Sequence, residues 1–395
     1  MDFTILKDCL DRIKKEYKVP GLDCIVYKEH EVLFRYFTGM QDEDKNIPMK
    51  GDELYLIFSM TKLVTVVAAL QLFEKGKFLM SDKLSDYIPE FSQMRVTNDE
   101  LNTQNAAKIT TGASFGEDVN ASADYFANNP ITIHNLFTMS AGFDYNIEAD
   151  YIKKAISEGK TTTLEIVKSL SKTVLGFEPG TRFRYSLCHD VLGGLVEVLS
   201  GMTLGEYMKK NIFEPLGMKD TFFGVPKDEE KLSRMMARYT AADDGNVQRV
   251  PLECMFNFTD EYESGGAGLT SCVEDYSLLL DALANGGVGK NGNRILSSHT
   301  VELLGKNQVH GQVYDDFNEL RPGYGYGLGV RVHDNKAVSG TLSPIGEFGW
   351  DGAAGGFSMI DPVNKISFAY FQHSHNWHFK VQTEMRNALY KCLEL

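Results

Sequence analysis

The sequence predicts a discontinuous α/β domain with a mainly helical domain inserted into it. Both ends of the chain combine amphipathic helices with strand-like apolar runs, the middle is dominated by helical periodicity, and strand character returns only after Tyr262. On this basis residues 1–75 and 257–395 form the α/β domain and residues 76–256 the helical one.

Phe3, Leu6, Leu10 and Ile13 recur at helical spacing and predict an N-terminal helix, followed by strands over Asp23 to Tyr27 and Val32 to Thr38. Leu54-Tyr55-Leu56-Ile57-Phe58 leads into LVTVVAALQLF, which is apolar nearly all round and therefore predicts a buried helix. Leu164 to Lys172, Asp190 to Ser200 and Leu204 to Ile212 supply the helical middle. The glycine-rich turn ESGGAGLTS precedes a helix over Val273 to Ala284. Strands are predicted at Tyr326 to Val332, Glu347 to Trp350, Gly356 to Ile360 and Lys365 to Gln372, and a closing helix at Phe379 to Leu393. Ser92 to Ala127 is polar and poorly periodic; a loop of that length either walls a binding cleft or is a surface excursion.

Of the 395 residues, 40 are Lys or Arg and 54 Asp or Glu, so the net charge is −14. That field repels polyanions and anionic lipid surfaces, which argues against nucleic acid and membranes as partners. The six cysteines are scattered without a CxxC pair, as expected of reduced, buried thiols. The N-terminal segment lacks the charged-then-apolar pattern of a secretory signal, and a cytoplasmic location is the expectation.

Ser59-Met60-Thr61-Lys62 is the strongest local signal. Ser59 and Lys62 stand three apart, on one face of the predicted buried helix, so their side chains can touch. A serine at a helix N-terminus feels unpaired N–H groups that favour an oxyanion, and an ammonium pressed against apolar neighbours loses proton affinity and becomes a candidate base. The competing reading is an ordinary capping serine and a solvated lysine, but a lysine opening a wholly apolar helix is costly without a partner. Tyr185, in Phe183-Arg184-Tyr185-Ser186-Leu187, follows a turn signal and enters a helix; its phenol can take the serine proton if a cation such as Lys62 stabilises the phenolate, and otherwise it is a packed aromatic.

These residues resemble the serine β-lactamase-like superfamily: class C β-lactamases, DD-peptidases of the same fold and, most closely, family VIII carboxylesterases. Besides Ser59 to Lys62, the resemblance is carried by Tyr185-Ser186-Leu187 with DVLGGLVEVLSG, by LFTMSAG (Leu136 to Gly142), by ESGGAGLTSCVEDYSLLLDALANGG and by PGYGYGLGVRV. Gly349-Trp350-Asp351-Gly352-Ala353 stands where lactamases and peptidases carry a Lys-Thr-Gly type triplet, and Leu187 where β-lactamases usually have Asn; both departures are similar to the esterases. The resemblance implies a serine β-lactamase / penicillin-binding-protein-like fold, an antiparallel sheet flanked by helices, with the active site at the interface of the two domains. It further implies Ser59 as nucleophile, Lys62 and Tyr185 as the proton-shuttling pair, the N–H groups of Ser59 and Ala353 as oxyanion hole, and Trp350, Gly352 and Leu187 as substrate-binding residues.

Two further patterns carry less. Gly112-Ala113-Ser114-Phe115-Gly116 matches a GxSxG nucleophile elbow but lacks the apolar strand and packed helix such an elbow needs. His373, His375 and His378 have spacing open to a metal, yet they close a strand with no Cys or carboxylate nearby, and neither metal nor cofactor is expected. The expected activity is that of a serine hydrolase of the carboxylesterase type, cleaving small esters through an acyl-enzyme on Ser59. The alternatives are β-lactamase or DD-peptidase-like activity on a β-lactam-like substrate, acyl transfer to another acceptor, and a non-catalytic binding protein on the same fold.

Overall fold

The computed structural model describes residues 1–97, 124–242, 246–375 and 379–394. From the N-terminus the chain forms helix α1 (Thr4–Glu16), the hairpin β1 (Gly21–Lys28) and β2 (Glu31–Asp42), the short strands β3 (Ile47–Pro48) and β4 (Tyr55–Leu56), and helix α2 (Thr61–Glu74). The middle is built largely from helices, among them Thr163–Ser169, α3 (Cys188–Ser200) and Leu204–Met208, before strand β5 (Phe222–Phe223). The last third carries β6 (Leu269–Ser271), α4 (Val273–Ala284), β7 (Tyr324–Tyr326), β8 (Arg331–His333), β9 (Phe348–Gly349), β10 (Phe357–Asp361), β11 (Ile366–Gln372) and α5 (Phe379–Leu393).

Eight strands form one antiparallel sheet in the order β7-β8-β9-β10-β11-β1-β2-β3. The two ends of the chain meet at the β1–β11 seam, where Leu22 lies opposite Gln372 and Lys28 opposite Ile366. Because β1 is central and covered on both faces, it is buried almost without a break rather than alternating. Leu22, Cys24 and Val26 pack with α1 and α5, while Ile25 and Tyr27 join the larger core on the other face. Helix α1 is held by Leu6, Leu10 and Ile13, fully buried apolar side chains worth about 2 kcal/mol each. Its exposed pairs Lys7–Asp11 and Arg12–Glu16 contribute far less, because water screens them.

Two elements differ from their expected form. The run Tyr326 to Val332 is not one strand but the hairpin β7–β8. The Gly327 N–H bonds the Val330 carbonyl at 2.8 Å and Gly329 adopts φ +76°, a conformation open to glycine that folds the chain back. The helix from Leu204 changes to a π-helical turn over Lys209–Phe213, just ahead of Pro215, which has no N–H to continue the ladder. The GxSxG serine, Ser114, lies outside the described residues, as does most of the polar segment around it. No helix among the described residues is long and apolar enough to cross a membrane.

Three short strands carry the chain to the site. Strand β6 pairs with β4 on one side, Thr270 opposite Leu56, and with β5 on the other. This pairing lays the Gly265–Gly266 segment, which precedes β6, across the first turn of α2, where Thr65 Oγ1 donates to the Gly265 carbonyl at 2.7 Å.

Candidate active site

Ser59 sits where β4 gives way to α2, in a three-residue 3-10 turn, Phe58–Met60. The Ile57 N–H donates to the Leu269 carbonyl at 3.0 Å, and Phe58 then adopts φ +46°, the left-handed region that a bulky residue seldom enters. Such a conformation costs on the order of 1–3 kcal/mol and persists because its surroundings hold it. Here the clamps are the Tyr276 hydroxyl, donating to the Met60 carbonyl at 2.9 Å, and Thr61 Oγ1, accepting from the Leu269 N–H at 3.1 Å. The nucleophile candidate is thus fixed by three elements at once.

Lys62, in the first turn of α2, has no solvent exposure. All three of its N–H donors are taken: by the Gly266 carbonyl at 2.7 Å, the Tyr145 hydroxyl at 3.1 Å and Ser59 Oγ at 3.3 Å. The amine also lies 4.6 Å from the ring centroid of Tyr185 and 5.3 Å from that of Tyr145. Those two rings stack at 5.4 Å and 11°, and Tyr185 stacks in turn on Trp350 at 5.7 Å. The Tyr185 hydroxyl accepts from Trp350 Nε1 at 3.3 Å. Ser59, Lys62 and Tyr185 therefore share one cluster, in which Lys62 meets Ser59 by a hydrogen bond and Tyr185 through its ring.

The hydroxyl that bonds the amine belongs to Tyr145, a residue that sequence reasoning missed. Its one signal was position, three residues beyond the LFTMSAG segment. Burial pushes the Tyr145 phenol well above its ordinary range, the neighbouring Tyr185 and Asp190 add to this, and a hydrogen bond with Ser59 offsets it only in part. Tyr145 keeps its proton and holds its neighbours in place.

Trp350 is nearly buried, and the segment after it is anchored by charge: Asp351 accepts from Arg331 and from Arg321, each at 2.8 Å. Gly352 packs so closely on the first turn of the site that a Cβ there would stand 2.6 Å from the Ile57 carbonyl oxygen. That approach puts the turn carrying Ala353 beside the turn carrying Ser59. Leu187 is buried in the core at 2% exposure, with its N–H on the Asp144 carbonyl. His373 donates from Nδ1 to the Met236 carbonyl at 2.8 Å, and burial lowers it to about 3; His375 packs edge-on against Phe58 and is lowered to about 4 by burial. His378 lies outside the described residues. Among the described residues no group of three His, Cys, Asp or Glu side chains is arranged to hold a metal.

A serine hydroxyl against a buried amine, beside a cluster of phenols and a glycine-rich turn, is an arrangement suited to nucleophilic attack on a carbonyl. Comparison with known proteins identifies the family. A family model described as Beta-lactamase matches residues 6–390. The chain belongs to the Beta-lactamase family. Within it, this chain is similar to Esterase EstB of Burkholderia gladioli, 26% identical over 381 residues that cover 90% of this chain and 86% of the esterase. Among solved structures, EstCE1, a hydrolase with promiscuous acyltransferase activity, superposes with a TM-score of 0.79 at 22% identity, covering 98% of this chain and 97% of that one. The octameric penicillin-binding protein homologue from Pyrococcus abyssi superposes with a TM-score of 0.68 at 23% identity, covering 100% of this chain and 78% of its own. The β-lactamase/penicillin-binding-protein fold, with its antiparallel sheet flanked by helices, is the fold of this chain.

Proposed function

We propose that this β-lactamase-family chain is a serine carboxylesterase that works through an acyl-enzyme on Ser59. The observation that carries the reading is the fully buried Lys62 amine at 3.3 Å from Ser59 Oγ. A lysine is kept there at a desolvation cost of several kcal/mol, which a purely structural role does not require. In the proposed reaction Ser59 attacks the ester carbonyl. The Lys62–Tyr185 pair takes the serine proton and returns it to the leaving alcohol, while Tyr145 holds the amine in register. The N–H groups of Ser59 and Ala353 receive the tetrahedral oxyanion, and water then attacks the acyl-enzyme.

The ester preference rests on the wall of the cluster. Tyr145, Tyr185, Trp350 and Phe256 form a run of aromatic contacts, a surface suited to apolar acyl or alcohol groups. Likeness to an esterase and to a hydrolase that also transfers acyl groups supports the same class, with acyl transfer as a second outcome of one intermediate. The test is turnover of p-nitrophenyl butyrate and of nitrocefin by wild type and Ser59→Ala. Ester hydrolysis exceeding nitrocefin hydrolysis, with both lost in the folded variant, is the expected result. Ester turnover that survives the substitution defeats the proposal.

A further inference from the structure

Beneath Lys62 the first turn of α3 buries a second charged group that the reaction above leaves unused. Asp190 is 1% exposed. Its Oδ1 accepts from the Ser264 hydroxyl at 2.7 Å and from the Tyr262 hydroxyl at 2.9 Å. Its Oδ2, also buried, has no side-chain donor and faces the Gly266 backbone. A Cβ on Gly266 would lie 2.5 Å from that oxygen and 3.3 Å from Lys62 Nζ, so the two charges face each other across a residue without a side chain. They are within about 6 Å of one another, the range over which opposite charges bias each other's ionisation.

We propose that Asp190 is a positioning residue that supplies the counter-charge to the Lys62 ammonium across Gly266. The inference rests on the reading of Lys62 as the amine that serves Ser59. A carboxylate needed only to tie the Tyr262–Ser264 loop to α3 uses one oxygen for that purpose. Burying the other with nothing but the Gly266 backbone against it is expensive for a charged group unless a cation balances it. The helix also contributes, since its N-terminal end favours a negative charge in the first turn. Burial raises the Asp190 carboxyl above its ordinary range, and the Ser264 bond, the Lys62 charge, the Tyr262 bond and the Gly266 backbone pull it back only in part. The other titratable groups facing this pair are Tyr145, Tyr185 and Cys254 from the segments packed against it, and Cys188 and His189 from α3 itself. The His189 imidazole is lowered to about 3 by burial and by Lys62, so at neutral pH it brings no charge that could take the place of Asp190.

The experiment is the pH dependence of kcat/KM for p-nitrophenyl butyrate in wild type and Asp190→Asn, with fluorophosphonate labelling of Ser59 in both. An amide preserves the acceptor for Tyr262 and Ser264 and removes the charge. The proposal expects the limb of the profile governed by the amine to move to lower pH by about one unit, a tenfold change in proton affinity, because the ammonium has lost its counter-charge. A rate loss with a profile superimposable on the wild type's shows a merely structural residue and overturns the proposal. If Asp190→Asn does not fold, Asp190→Ser removes the charge with a smaller side chain and is expected to move the limb in the same direction; no movement overturns the proposal equally. Wild-type protein that neither turns over ester nor accepts label on Ser59 defeats the catalytic reading itself, an outcome distinct from an unmoved profile in an active enzyme.

Discussion

Tyr145→Phe isolates the contact that the sequence did not disclose. The substitution deletes one hydroxyl and nothing else: the ring keeps its stack on Tyr185 at 5.4 Å and its edge contact with Phe256 at 5.6 Å. What is lost is the 3.1 Å hydrogen bond from Lys62 Nζ, leaving the amine with the Gly266 carbonyl and Ser59 Oγ, together with the hydroxyl's own bond with Ser59. A hydrogen bond to a charged group is worth about 1.5–3 kcal/mol. At about 1.4 kcal/mol per decade, kcat/KM should fall roughly ten- to a hundredfold if that bond is needed in the transition state. The melting temperature should move by a few degrees at most, since the packing survives. Steady-state hydrolysis of p-nitrophenyl butyrate, paired with a thermal melt, reads both quantities. A variant that turns over as fast as wild type refutes the assignment of Tyr145 as the group that holds the amine.

Two further outcomes are expected. Gly266→Ala places a methyl 2.5 Å from Asp190 Oδ2 and 3.3 Å from Lys62 Nζ, and these side-chain tips yield more readily than backbone. Activity should therefore fall on the order of a hundredfold with the fold retained, as judged by circular dichroism and kcat/KM together. Glu197 on α3 is pushed up to about 7 by burial, against the pull of the Leu204 N–H and with repulsion from Glu263 adding to it. The folded state thus holds this proton more tightly than the unfolded chain. The resulting stability is full below the ordinary carboxyl range near 4.5 and is lost as pH rises to about 7. Glu197→Gln removes that loss, so the wild type's melting temperature should fall more than the variant's between about pH 5 and pH 8. Parallel melting curves for the two proteins contradict the assignment.

The parts legible in the sequence were those written in local pattern. The lysine opening an apolar helix pointed to a buried amine, because nothing in LVTVVAALQLF offers it water, and Lys62 is indeed without exposure. The helix over Val273–Ala284 and the closing helix over about Phe379 to Leu393 follow from apolar spacing in the sequence. Tyr145 was hidden because its role comes from tertiary proximity: it reaches Lys62 across 83 positions from a loop with no periodicity of its own. Asp190 was hidden for a similar reason, since an acid in the first turn of a helix is an ordinary capping preference until Ser264, Tyr262 and Gly266 are seen around it. The hairpin over Tyr324–His333 was misread as one strand because its turn glycines fall inside an apolar run.

The most direct test of the central claim is the mass of the protein after reaction with a fluorophosphonate, with the adduct located by peptide sequencing in wild type and Lys62→Met. The expected result is one adduct per chain on Ser59, formed at least a hundredfold more slowly when the amine is replaced. An adduct on another serine, or labelling of Ser59 that proceeds equally fast without Lys62, contradicts the account.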